Sequence, residues 1–121
     1  MTVADTTDIR GYHAHVYYRN AEERSDAADL RDSIEGRFKV ALGRWRDQPV
    51  GPHPLPMYQV SFSAETFAQV IPWLMLNRKK LTILIHPITD DDVLDHRDFP
   101  FWMGEVLDLD IGFLEAGNTS A

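Results

Sequence analysis

Between Gly11 and Tyr18 the chain alternates. Tyr12, Ala14, Val16 and Tyr18 fall on one side of an extended segment, and His13, His15 and Tyr17 fall on the other. The period then lengthens. Asn20, followed three residues later by Glu23, reads as a helix cap, and Ala27, Leu30, Ile34 and Phe38 set one apolar stripe along a helix reaching about Arg37. A second strand is expected from Lys39 to Trp45. Pro49, Gly51, Pro52, Pro54 and Pro56 rule out regular structure and stiffen the loop that carries His53. Met57 to Ser63 alternates again, with Tyr58, Val60 and Phe62 on one face. Ser63 can cap a helix from Ala64 to about Asn77, which Pro72 should kink or split into two turns. Leu81 to His86 is a nearly all-apolar strand that stops at Pro87. An acidic loop follows, and Trp102 to Phe113 adds a short helix or a further strand.

Strand, helix, strand, strand, helix, strand is the order of the ferredoxin-like split βαβ sandwich. This is an α+β fold in which two helices cover one face of an antiparallel sheet. In that topology the first strand is central and the fourth lies antiparallel beside it. If Leu81, Ile83 and Ile85 face the helices, His86 shares the open face with His13 and His15 and lies near one of them.

The length of 121 residues fits one domain, taken as 11–114. Residues 1–10 form a disordered or extended lead and 115–121 a flexible tail. An apolar fraction of 44% is enough for a core without staples. The absence of cysteine removes disulfides, thiolate ligands and a cysteine nucleophile. A net charge of −7 opposes a nucleic-acid partner, and Asp90-Asp91-Asp92 reads as a solvated loop. No apolar run is long enough for a membrane span. The polar start, Met1 to Ile9, has no signal core, so a cytoplasmic location is expected.

The chemistry concentrates in five histidines: His13, His15, His53, His86 and His96. Neutral imidazole is a common ligand for iron, zinc, copper and nickel. Two imidazoles on one strand face plus a third from the next strand can close a facial set with open positions for substrate or oxygen. His53 and His96, in loops, are better placed for acid–base work. A carboxylate ligand from Glu105 or Asp95 would complete a two-histidine set. Trp73, Leu74 and Leu76 suit core or dimer packing. Trp45 and Trp102 suit packing or an aromatic pocket, and Arg44 and Arg78 the surface or a substrate carboxylate. There is no glycine-rich phosphate loop and no nucleophile elbow.

Six motifs in order carry a resemblance: Tyr12-His13-Ala14-His15-Val16-Tyr17, Gly51-Pro52-His53-Pro54, Met57-Tyr58-Gln59-Val60, Trp73 to Arg78, Leu84-Ile85-His86-Pro87 and Asp95-His96. Together, over about Tyr12 to Asp110, they resemble the DOPA 4,5-dioxygenase family. The resemblance implies a ferredoxin-like homodimer that cleaves a catechol ring by extradiol chemistry with O2 at non-haem Fe(II). Carried over by position, it implies a metal site drawn from His13, His15, His53 and His86. Zinc or another divalent metal can take the same donors. The family usually has glycine where Asp90 follows Thr89. The alternative is a ferredoxin-like dimer that binds a metal or small molecule without turnover, which fold alone does not exclude.

Overall fold

The computed structural model describes residues 3–118. Five strands form one antiparallel sheet: β1 (Gly11–Tyr17), β2 (Ala41–Leu42), β3 (Met57–Phe62), β4 (Ile83–Ile88) and β5 (Phe101–Met103), in the order β2-β3-β1-β4-β5. The first four follow the expected ferredoxin-like order, and β5 extends the sheet beside β4. Helices α1 (Ala21–Arg37) and α2 (Ala64–Asn77) cover one face. Their Ala27, Leu30, Ile34, Val70, Ile71 and Leu74 pack on Ala14, Val16, Val60, Ile83 and Ile85 of the sheet.

The cap on α1 forms as expected. Asn20 Oδ1 accepts from the Glu23 N–H at 2.9 Å, and the Glu23 carboxylate reaches back to the Arg19 N–H at 2.8 Å. Ser63 caps α2, which runs through Pro72 as one helix and is not split.

Two strands differ from expectation. The second pairs only at Ala41 and Leu42, then again through an Arg46–Met57 bridge whose register is one residue out of step. That offset is a bulge on an edge strand, and it follows Gly43, where a Cβ would sit 3.4 Å from the Gln59 Cβ and carbonyl oxygen. The fourth strand does not stop at Pro87. Tyr17 N–H bonds to Thr82 O, and the alternation from there makes Tyr12–Pro87 a non-hydrogen-bonded pair. The proline nitrogen therefore faces the side that β5, paired only along Ile83–Ile85, leaves open.

The acidic loop also contains a helix, α3 (Asp92–Arg97), capped by Asp91. A last short helix, α4 (Ile111–Glu115), follows β5. The expected tail lies, from Thr119 onward, outside the described residues. No helix among the described residues is long and apolar enough to cross a membrane.

Candidate metal centre

The sheet face away from α1 and α2 carries a smaller apolar group. Tyr17, Met57 and Leu84 are buried there under Val50, Leu55, Trp102, Leu107 and Leu109. On that face β1 pairs with β4 so that His13 lies opposite His86 and His15 opposite Leu84. Strand parity thus brings His13, His15 and His86 together, and one ligand nitrogen from each lies within 4.8 Å of the others. His15 Nε2 and His86 Nε2 are 3.1 Å apart.

The proline-stiffened loop delivers His53 to the same place. Gly51, at φ 59°, heads a turn closed by the His53 N–H to Val50 O, and the Asp110 N–H ties Pro52 O to the C-terminal segment. The His53 ring lies 4.2 Å, centre to centre, from that of His15. His96 arrives from α3, its ring centre 4.1 Å from that of His86 and its plane tilted by 42° to it. Expected as a loop residue, it is instead a buried helical one. Asp95, beside it, is also buried, and its carboxylate accepts from the Thr89 hydroxyl at 2.6 Å and the Thr89 N–H at 2.9 Å. That clamp joins α3 to the end of β4. Asp90, the departure from the family pattern, points outward and pairs with Arg10.

Burial sets the protonation of the cluster. It pushes the His13 imidazolium down to about 4 and those of His53 and His86 to about 3, with the neighbouring His96 next in effect at each. Burial also holds His15 well below its ordinary value, with His53 and His86 next in effect. The four are neutral at pH 7, so each has a nitrogen lone pair to offer. At His86 the Nδ1–H donates to Pro87 O at 2.8 Å, which leaves the lone pair on Nε2. At His96 the Nδ1–H donates to Asp92 O at 2.7 Å, with the same result. Among the described residues the nitrogens His13 Nδ1, His15 Nδ1, His53 Nε2 and His96 Nε2 are buried without a partner.

These donors fit a divalent transition metal. Metal–imidazole bonds of about 2.0–2.1 Å put neighbouring ligand nitrogens roughly 3.0–3.4 Å apart, and the His15–His86 separation of 3.1 Å lies in that interval. Neither carboxylate candidate belongs to the donor group. Glu105 is exposed and paired with Arg19 at 2.6 Å, and both Asp95 oxygens are taken by Thr89.

Other expectations separate. Trp45 packs with the core beneath α1 and α2, its ring 4.1 Å from the Arg24 guanidinium. Trp102 stacks on Tyr17 on the opposite face, so the two tryptophans line no common pocket. Leu76 is exposed while Leu74 is buried, Arg44 is exposed, and Arg78 donates to Leu81 O. Tyr17, whose hydroxyl lies 2.7 Å from His53 Nδ1, has no role in the sequence reading beyond its place on the histidine face. That parity was the available signal. A groove of about 990 Å³ between the N-terminal segment and Phe99 and Phe101 meets the histidines only at His86.

The model of the Dopa 4,5-dioxygenase family matches residues 12–113. A DOPA 4,5-dioxygenase from Amanita muscaria is 37% identical over 94% of this chain and 53% of its own length. An uncharacterised 21.2 kDa protein from Botryotinia fuckeliana is 36% identical over 88% of this chain and 65% of its own. The chain thus spans about half to two thirds of the curated relatives it matches. A crystal structure from Nostoc punctiforme, described as a candidate dioxygenase, superposes with a TM-score of 0.93 at 50% identity, covering 96% of this chain and 100% of that one.

Proposed function

The chain belongs to the Dopa 4,5-dioxygenase family, and from that premise we propose that it opens a catechol-type ring with O2, by extradiol cleavage, at a histidine-bound non-haem metal. The observation that carries the reading is the convergence of His13, His15 and His86, neutral and on one sheet face, within 4.8 Å. His13, His15 and His86 would hold Fe(II), which would supply the redox chemistry that couples a catechol to dioxygen. The chain's own groups do the rest. The half-buried His13 marks the side from which substrate enters, and the buried His15 and His86 close the other side to water. Half-buried Trp102, stacked over the buried Tyr17, supplies an aromatic surface suited to a flat ring. His96 Nε2, with its lone pair free, is placed to take the proton of a catechol hydroxyl. A homodimer is part of the proposal, supported by the exposed Phe99 and Phe101 around the edge strand β5.

Anaerobic loading with Fe(II), followed by oxygen uptake over a panel of catechols, tests this. A yellow ring-opened product is expected from at least one. Bound iron with no uptake from any would leave the non-enzymatic metal-binding module as the better reading.

A further inference from the structure

We propose that Tyr17 is a positioning residue that fixes the proton of His53 on Nε2, making His53 a hydrogen-bond donor in the site and not a metal ligand. The proposal rests on the reading of His13, His15 and His86 as the ligands.

The Tyr17 hydroxyl lies 2.7 Å from His53 Nδ1, both groups are buried, and the hydroxyl makes no other hydrogen bond among the described residues. One proton must lie between them. If Nδ1 carried it and the phenol accepted, the phenol's own O–H would be buried with no acceptor, which is costly. If the phenol donates to the Nδ1 lone pair, both of these atoms are satisfied and only the His53 Nε2–H is left unpaired, against an unpaired phenol O–H and an unpaired Nε2 lone pair in the other arrangement. A neutral imidazole then carries its single proton on Nε2. Tyr17 cannot readily turn away. Its ring is held among Met57 and Leu84 and stacks on Trp102 with centres 6.0 Å apart.

His86 and His96 show the opposite arrangement. Each points Nδ1 at a backbone carbonyl, which can only accept, so each keeps a lone pair on Nε2. His53 Nε2 is buried without a partner beside His15, and its ring centre is 6.4 Å from that of His96. Beside the three proposed ligands the site therefore presents a donor at His53 and an acceptor at His96. That pairing suits a singly ionised catechol, which has one hydroxyl to donate and one anionic oxygen to accept.

The experiment is long-range proton–nitrogen NMR of the ¹⁵N-histidine-labelled chain, metal-free and loaded with Zn(II), with zinc titrations of variants alongside. His53 is expected as the Nε2–H tautomer in the unmutated protein, and Tyr17→Phe should shift it toward Nδ1–H. His53→Gln should bind zinc within about threefold of the unmutated chain, whereas His86→Ala should lose more than roughly a hundredfold. An Nδ1–H tautomer of His53 before mutation would overturn the proposal even if Tyr17→Phe failed to fold. So would a tautomer unmoved by Tyr17→Phe, or a zinc loss in His53→Gln matching that in His86→Ala. The expected tautomers in a protein that cleaves no catechol would support this inference while sinking the reaction assigned above. The converse result would sink this inference alone.

Discussion

A neutral imidazole has two nitrogens and one proton, so the atom touched by its outer nitrogen decides what the inner one can do. At His86 that atom is the carbonyl of the very next residue, Pro87. The ring is oriented by the strand that carries it, and its Nε2 lone pair is committed toward His15 without help from a distant side chain. His15 and His86 therefore have the strongest claim as ligands. Replacing either by glutamine should lower zinc affinity by more than the roughly 10–100-fold typical of losing an outer hydrogen-bond partner, with the far-UV spectrum unchanged. Competition against a chromophoric chelator would measure this, and a loss of only a few-fold at both positions would refute the ligand assignment. His13→Gln should cost less than either, because His13 is the one member of the three that water can still reach.

The elements supply these residues through very local choices. α3 is six residues long, too short to hold itself, and the Asp95–Thr89 clamp fastens it to β4. Asp95→Ala removes two hydrogen bonds to a buried carboxylate, and a loss of about 2–4 kcal/mol is expected. The urea midpoint should fall with it, and the NMR signals of His96 should move while those of His13 do not. An unchanged midpoint would mean that α3 is held by other contacts. This helix was legible in part. An acidic first turn after Asp91 and the pair His96-Arg97 at the end are ordinary start and stop signals. They were masked by a dense acidic run without an apolar stripe. The alternation that placed His13, His15 and His86 on one face needed only strand parity, and it appears in the structure as the His13–His86 pair. Pro87 misled because a proline is compatible with a strand wherever its missing N–H has no ladder bond to make. That depends on register, which one strand's sequence does not contain. The cut to β2 likewise depends on how Gly43 meets Gln59 across the sheet.

At the scale of the molecule, one sheet separates an ordinary apolar core from a layer in which four imidazoles are held neutral by burial. The metal-free protein should pay for this in acid. Each of these histidines has a folded pKa below the ordinary 6.5, so between the two values the unfolded chain binds more protons than the folded one. Stability is then complete above about pH 6.5 and falls as pH drops, by up to about 1.4 kcal/mol per pH unit for each histidine. For His53 the window runs from 6.5 down to about 3. Carboxylates contribute to the same acid slope, so the histidine part is best isolated by difference. Urea unfolding of the chelated protein and of its His53→Gln variant, from pH 7.5 to 4.5, should give parallel lines above pH 6.5. Below it the variant should lose stability less steeply, by about 1.4 kcal/mol per pH unit. Lines that stay parallel down to pH 4.5 would mean that His53 takes up a proton in the folded state as readily as in the unfolded chain. A bound metal should move the onset of the loss to lower pH, because protons must then displace it from the same lone pairs.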